Sequence, residues 1–576
     1  MSTQRVTTAS AVQVAETPIE VLDEVIEQLR GAAERWCDTG LGERIRILDA
    51  LRATTLEAGP AWVAAAAQAK EIAPGSRLEA EDWGSGIATM TRYLSLLSAT
   101  LEDIAATGHP QPPAMRTEGA RVVVDVLPAD RFDRLLFQGF SAETWLRPGI
   151  SEEHARARMG RIYRPDHESV PQVSVVLGAG NVSSIGPLDA LYQLFALDRV
   201  AILKMNPANA HLGPHIAEAF RPLIERDVLR IVYGGAEVGG YLTEHPDIDA
   251  VHVTGSADTY DAIVFGSGDA GRARKQRAEP RRDKPVTAEL GNVTPVIVVP
   301  GPWSDRDLAF HGDNIASMLV HNAGFNCIAA RMIVQHRAWS KRGALLDAVR
   351  SSLVRATPRV PYYPGADRRY EEATKGHDRI ERFGPPDADL PFTLLPELDP
   401  DGPEPSTFST EAFGGVLGEV ALEAERSVPA FIDAAVGFCN ERLFGTLAAT
   451  ILIHPRSLDD PEVAAALDRA LERLRYGTIV VNHWTGAAYA FMSTPWGPYP
   501  GSPPEDIQSG TGVVHNTFLL EDVEKTIVRG PFRSRIKPPW FHDHRQAHLL
   551  LPRLAELSAT GDAARLPGLI VAALRG

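Results

Sequence analysis

The chain has 576 residues, too many for one compact core of ordinary size, so two large domains or one with substantial insertions are expected. Hydrophobic residues are 44% and charged residues 23%, a globular composition, and a formal charge of −16 argues against nonspecific binding to nucleic acid or an anionic membrane. Cys37, Cys327 and Cys439 are too few for a disulfide framework and lack the paired spacing of a metal site, which fits a reducing cytoplasm. No stretch has the apolar core of a signal peptide or the length of a membrane span.

Residues 1–20 are read as a flexible N-terminus. Over 21–101 apolar residues recur three and four apart, as in Val21-Leu22, Val25-Ile26 and Leu29, the pattern of amphipathic helices packed on something else. Residues 111–167 break that pattern, with Val122-Val123-Val124 as a strand in an insertion or oligomerisation element. The middle alternates short apolar runs with helix-length segments, as a parallel sheet with crossover helices requires. Strands are expected at 173–177, 200–204, 229–233 and 250–254, and helices at 186–197 and 213–226. A doubly wound sheet binds ligands at the carboxyl ends of its strands. There the chain carries Gly178-Ala179-Gly180-Asn181, Lys204-Met205-Asn206-Pro207 and Thr254-Gly255-Ser256. A second alternation starts at Val293 and leads into a helix at 313–321, residues 356–410 read as long proline- and glycine-rich loops, and the tail from 521 is basic and then helical.

Across residues 165–500 these patterns resemble, in order, those of the aldehyde dehydrogenase superfamily. Glu289-Leu290-Gly291-Asn292 is similar to its general-base segment, and Asn322-Ala323-Gly324-Phe325-Asn326-Cys327 followed by Arg331 to its nucleophile loop. Glu411-Ala412-Phe413-Gly414-Gly415-Val416 is similar to its ribose-binding turn, and Asn440 with Phe444-Gly445-Thr446-Leu447 to a later block. The resemblance implies an α/β protein of two doubly wound domains plus a small β oligomerisation element. Residues 21–285 would bind nucleotide, 286–475 would be catalytic, and 476–576 would hold a return segment, part of the oligomerisation element and an extension. It also implies Cys327 as nucleophile, Glu289 as general base and Asn181 as an oxyanion donor. Gly180, Lys204, Gly255, Ser256, Glu411 and Phe413 would contact NAD or NADP. The implied substrate is a small-molecule aldehyde and the implied assembly a cytoplasmic homodimer or homotetramer, with no nucleic-acid partner and no membrane insertion.

Each residue also has an ordinary structural reading: Cys37 and Cys439 as packing residues, Glu289 as a structural carboxylate, Asn181 as a turn residue, Ser256 as a helix cap. Two departures from the family stand out. Asn292-Val293 replaces the usual glycine and lysine, and Pro207 occupies the place where NAD-preferring members carry a glutamate, leaving NAD and NADP both open. The cluster of Arg272, Arg274, Lys275, Arg277, Arg281, Arg282 and Lys284 reads as a solvated loop or as a site for the phosphate of NADP or coenzyme A. A coenzyme A-acylating enzyme and a noncatalytic dinucleotide-binding scaffold are the competing functions; a carboxylate at Glu289 favours hydrolysis over the first, and the presence of Cys327, Asn181, Glu289 and Glu411 together argues against the second. Trp303, Trp484, Tyr489, Phe491 and Trp496 suggest an apolar pocket. Pro538-Pro539-Trp540-Phe541-His542 is read as a cover for a tunnel, for another subunit or for neither.

Overall fold

The computed structural model describes residues 14–386, 388–403 and 405–576. Most of the N-terminus expected to be flexible lies outside the described residues. Within them the chain is already tied down: Gly235 N donates to Glu16 Oε1 (2.8 Å) and Thr17 N to the Tyr233 carbonyl (3.0 Å).

In chain order the strands are β1 (Ala114–Glu118), β2 (Arg121–Leu127), β3 (Ser141–Leu146), β4 (Val173–Leu177), β5 (Val200–Lys204), β6 (Leu229–Val232), β7 (Ala250–Gly255), β8 (Val286–Leu290) and β9 (Pro295–Val298). They continue with β10 (Met332–His336), β11 (Glu381–Phe383), β12 (Phe392–Leu398), β13 (Val416–Leu422), β14 (Ala448–Leu452), β15 (Thr478–Val481), β16 (Gly510–Thr511) and β17 (Val523–Arg529). They form two sheets, one in the order β16-β8-β7-β4-β5-β6 and one in the order β1-β2-β3-β17-β15-β14-β9-β10-β13-β12-β11.

The first sheet is parallel except for β16. Helices cover parallel sheets on both faces, which is why Val200, Ala201, Ile202 and Leu203 can all be apolar and all be buried. The helical lead-in lies against this sheet as Ile19–Cys37, Leu41–Ala69 and Thr89–Thr107. Trp36 meets Phe195 edge-on at 5.4 Å, and the buried Arg44 pairs with Asp198. The expected helix at 213–226 is broken into Gly213–Ala219 and Arg221–Ile224, because Pro222 cannot donate inside a continuous helix.

Two expectations are corrected, the division after residue 285 and the long loops at 356–410. β8 pairs in parallel with β7, so the first sheet runs through Leu290 and a division after residue 285 would cut it. β1, β2 and β3 from the insertion join β17 from the C-terminal part, and through the pairing of β17 with β15 they continue the second sheet. Residues 356–410 contain β11, β12 and a helix, Ala366–Thr374. There the proline and glycine content hides an apolar strand, Phe392-Thr393-Leu394-Leu395, whose register against β13 shifts past Pro396, where a strand loses a donor.

Candidate active site

The helix Asp305–Val320 begins earlier than the apolar pattern suggests because a capping box fixes its start: Asp307 N donates to Ser304 Oγ (3.3 Å) and Ser304 N to Asp307 Oδ2 (2.7 Å). At its far end Asn322, Ala323 and Gly324 all have left-handed backbones, with φ of 53°, 57° and 82°. Only glycine adopts that region without strain, and a Cβ on Gly324 would stand 2.5 Å from the Gly414 carbonyl. This tight reversal brings Cys327 into the wall of an apolar cavity of about 170 Å³.

Glu289, at the carboxyl end of β8, and Asn181, in the loop after β4, line the same cavity. The Asn181 amide donates to the Phe325 carbonyl (3.0 Å), and the Asn181 carbonyl accepts from Asn322 Nδ2 (3.0 Å) and the Tyr362 hydroxyl (3.1 Å). A carboxamide has two N–H groups, so one remains for a ligand in the cavity. The structure thus brings together all three residues expected to be catalytic.

Burial raises the Cys327 thiol well above its ordinary pKa, with the carboxylates of Glu289 and Glu411 adding to the effect, while its own backbone N–H and Arg331 oppose it. Burial also pushes Glu289 up to about 7, helped by Asp189 and opposed by a hydrogen bond from Trp496 Nε1 to Glu289 Oε1 (2.5 Å) and by His252. Asp189 is fully buried and accepts from Thr254 Oγ1 (2.8 Å). On the side away from Cys327, Glu289 also lines a polar cleft of about 550 Å³ with His252, Thr287 and Trp496. The carboxylate therefore stands in the wall between an apolar tunnel and a more polar cleft.

The expected cofactor residues lie at strand ends. Lys204 closes β5, is 9% exposed, and has its pKa lowered by burial. Gly255 closes β7, and Ser256 Oγ accepts from Thr259 N (3.3 Å), capping the helix Ala257–Val264. The capping role and a free face for a phosphate are compatible. Gly180 has a packing reason of its own: a Cβ there would stand 2.6 Å from Asn206 Oδ1. Phe413 has a left-handed backbone (φ 38°) and lies 5.9 Å from Phe325, centroid to centroid.

Glu411 couples two motifs that are far apart in sequence. A Cβ on Gly291 would come 1.7 Å from Glu411 Oε2, so the glycine after Glu289-Leu290 is what admits this carboxylate. Burial pushes Glu411 up to about 7 against the pull of Arg331 and Arg369, and its Oε1 is buried without a hydrogen-bond partner. An unpaired buried acceptor is costly unless a ligand completes it, so the site fits a group that brings a donor, such as a ribose hydroxyl.

Arg331, 4% exposed, clamps both loops. It donates to the carbonyls of Gly324 (2.7 Å) and Asn326 (3.2 Å) on the nucleophile side and to that of Gly414 beside Phe413. Arg331→Ala leaves those carbonyls unpaired and should destabilise the chain by about 2–4 kcal/mol. Thermal melts would register that loss, and thiol-labelling rates of Cys327 should change with it, whereas labelling and melting both like wild type would deny the clamp.

The basic cluster is not brought to the site. Arg272 pairs with Asp269, Lys275 with Asp261 (2.6 Å), Arg277 with Glu279 (2.8 Å) and Arg281 with Glu244 (2.8 Å). Arg274, Arg282 and Lys284 donate to backbone carbonyls of Phe265, Glu244 and Thr243. Of the aromatics, Trp484, Tyr489 and Phe491 line the tunnel, Trp496 holds Glu289, and Trp303 packs elsewhere against His311, Trp339 and Phe532. Asn292 and Asn440 are structural: the first donates to the Ala448 carbonyl (3.0 Å), the second to that of Arg473 (2.9 Å). Sequence reading missed Asp189 and His252, although a lone acid in the apolar helix Ile185–Ala196 was a visible signal.

A cysteine, a carboxylate and a carboxamide in one tunnel, set between a doubly wound sheet and a second α/β sheet, define a two-sheet α/β protein with a thiol-centred site. The sequence profile of the aldehyde dehydrogenase family matches residues 175–359, about a third of the chain. It is 26% identical over 334 residues to hydroxyisobutyraldehyde dehydrogenase of Mycolicibacterium austroafricanum, covering 53% of this chain and 57% of that one. Two further curated relatives are spanned over 31% and 61% of their length, so these matches leave out a large part of each relative. The same fold occurs in the Mycobacterium tuberculosis aldehyde dehydrogenase complexed with NAD+ (TM-score 0.60, 18% identity, 91% of this chain and 92% of that one). It occurs also in a mutant form of aldehyde dehydrogenase C from Pseudomonas syringae, complexed with NAD+ and octanal (TM-score 0.57, 16% identity, 92% and 93%).

Proposed function

We propose that the chain oxidises an aldehyde to a carboxylic acid with NAD or NADP. The observation that carries this reading is the meeting of Cys327, Glu289 and Asn181 in one cavity. The Cys327 thiolate adds to the aldehyde carbon, and the alkoxide is held by the free N–H of Asn181 and the backbone N–H of Cys327. A bound nicotinamide dinucleotide would supply the hydride acceptor, with Glu411 and Lys204 toward its riboses, Gly180, Gly255 and Ser256 around its pyrophosphate, and Phe413 beside its ring. Loss of hydride leaves a thioester on Cys327. Glu289 takes a proton from water as the water attacks that thioester, which releases the acid and restores the thiol.

The polar cleft behind Glu289 supports hydrolysis, since it gives water a route that does not cross the apolar tunnel. The internally paired basic cluster removes one argument for a phosphate-bearing acyl acceptor. A homodimeric or homotetrameric assembly in the cytoplasm is part of the same reading. Among the described residues no helix is long and apolar enough to cross a membrane. The test is formation of reduced nicotinamide with a panel of aldehydes, in NAD and in NADP, with and without coenzyme A. Turnover that needs coenzyme A would replace this proposal with the acylating one, and no turnover in any arm would refute both.

Because only the ionised Glu289 can accept a proton, the rate limited by thioester hydrolysis should rise with pH through about 7. A pre-steady-state burst whose following slope rises about tenfold per pH unit below that value is expected. A slope insensitive to pH there would remove Glu289 as the base.

A further inference from the structure

The tunnel to Cys327 is not closed by the two sheets alone. Its outer wall is made by Trp540, Phe541, Ala547, Leu551 and Leu554, all from the chain beyond β17. This extension is fixed at both sides of the opening. On the side of the second sheet, His542 N donates to Ser317 Oγ (3.0 Å), His542 Nε2 is 2.9 Å from Ser352 Oγ, and Phe541 packs on Phe310 at 5.2 Å. On the side of the helical lead-in, the helix Ala547–Thr560 lies on the π-helical turn Trp83–Ala88. Leu551 fits over Gly84, where a Cβ would already be 3.1 Å from Leu551 Cδ1, and clusters with Ala80 and Ala547. The extension is a strap across the mouth.

Two of the charges that reach the lining are paired with an opposite charge, Arg92 with Asp133 (2.7 Å) and Glu81 with Arg359 (2.9 Å), while Arg77 gives a hydrogen bond to the Thr357 hydroxyl (2.9 Å). Burial lowers the pKa of both His542 and His544, which keeps them neutral. Arg77 apart, none of these groups is a cation left without an acidic partner to receive a carboxylate at the far end of a substrate. An apolar cavity of about 150 Å³ holds a benzene ring, so one of about 170 Å³ holds on the order of six to eight carbon atoms.

We propose that residues 539–554 are the specificity wall of the Cys327 tunnel and that they select an uncharged, apolar aldehyde of about six to eight carbons. This rests on the aldehyde oxidation proposed above. Each methylene buried in the tunnel then raises kcat/KM about fourfold until the cavity is full.

The test uses the full chain and linear alkanals from propanal to dodecanal. Wild type is expected to gain with length as far as hexanal to octanal and no further. Leu551→Trp, which narrows the tunnel, should lower the octanal-to-propanal ratio of kcat/KM at least about tenfold. Leu551→Ala, which widens it and removes no hydrogen bond, should move the optimum to longer chains. A profile flat in length, or one the same in all three proteins, would overturn the proposal while leaving aldehyde oxidation standing. Should wild type turn over no aldehyde, calorimetric binding of 1-octanol decides independently. Binding in wild type that Leu551→Trp weakens at least about tenfold supports the wall, and equal binding or none overturns it.

Discussion

Cys327→Ala should abolish aldehyde-dependent formation of reduced nicotinamide, with a loss on the order of 10⁴-fold or more, because no other described side chain in the tunnel can form the thioester. Cys37 and Cys439 are poor substitutes. Cys439 is buried in a separate apolar cluster with its pKa raised by burial, and Cys37 lies beside Asp198 under the first sheet. The substitution removes one sulfur at a partly exposed position, so the melting temperature should change little. Rapid mixing with cofactor and aldehyde would show no burst at all. A variant that kept a burst would place the nucleophile elsewhere and undo the reading of the site.

Glu289→Gln should behave differently. Acylation survives while hydrolysis of the thioester loses about 10²–10⁴-fold, so one equivalent of reduced cofactor forms quickly and turnover then stalls. The amide oxygen of glutamine can still accept from Trp496, which keeps the geometry while deleting the base. Stability gives a second readout. The folded-state pKa of Glu289 is raised, to about 7, above the ordinary value of about 4.3, so folding binds a proton. The stability this group contributes is present below about pH 4.3 and is lost as pH rises through about 7. Relative to wild type, the glutamine variant should therefore melt progressively higher as pH rises from about 4.3 to about 7, and the difference should level off above that. Linear turnover without a stall, or a melting difference constant with pH, would count against Glu289 as a buried, proton-accepting carboxylate. Turnover restored only by added coenzyme A would favour thiol attack on the thioester over water.

Much of the first sheet was legible because its strands are buried on both faces and its helices are periodic. The strand expected at 200–204 coincides with β5, and that at 173–177 with β4. Cys327, Glu289 and Asn181 were singled out by the order of short motifs, each at a strand end or sharp turn where backbone geometry restricts the residues allowed, and they line one cavity. The second sheet was less legible. β12 carries a proline and a bulge, and β17 has the sequence Val523-Glu524-Lys525-Thr526-Ile527-Val528-Arg529, whose charges read as the start of a basic tail. Lys525 is nevertheless fully buried, because its ammonium donates to the carbonyls of Leu471 (3.1 Å), Glu472 (2.9 Å) and Leu474 (2.7 Å). No local pattern announces that arrangement. Glu411 and Gly291 illustrate the same limit: each motif was recognised alone, but that one exists to admit the other is a fact of three dimensions.

The position of β17 bears on how the chain reaches this structure. It lies between β3 and β15, and β16, shortly before it, completes the edge of the other sheet on β8. Neither sheet is whole until residues 510–529 have left the ribosome, and the β3–β17 pairing joins segments nearly 400 residues apart, as in the 386-residue separation of Arg529 and Glu143. Such nonlocal closure is slow and leaves strand edges open while synthesis continues. A nascent chain of this protein thus spends most of its emergence with β3 unpaired along the edge that β17 will fill.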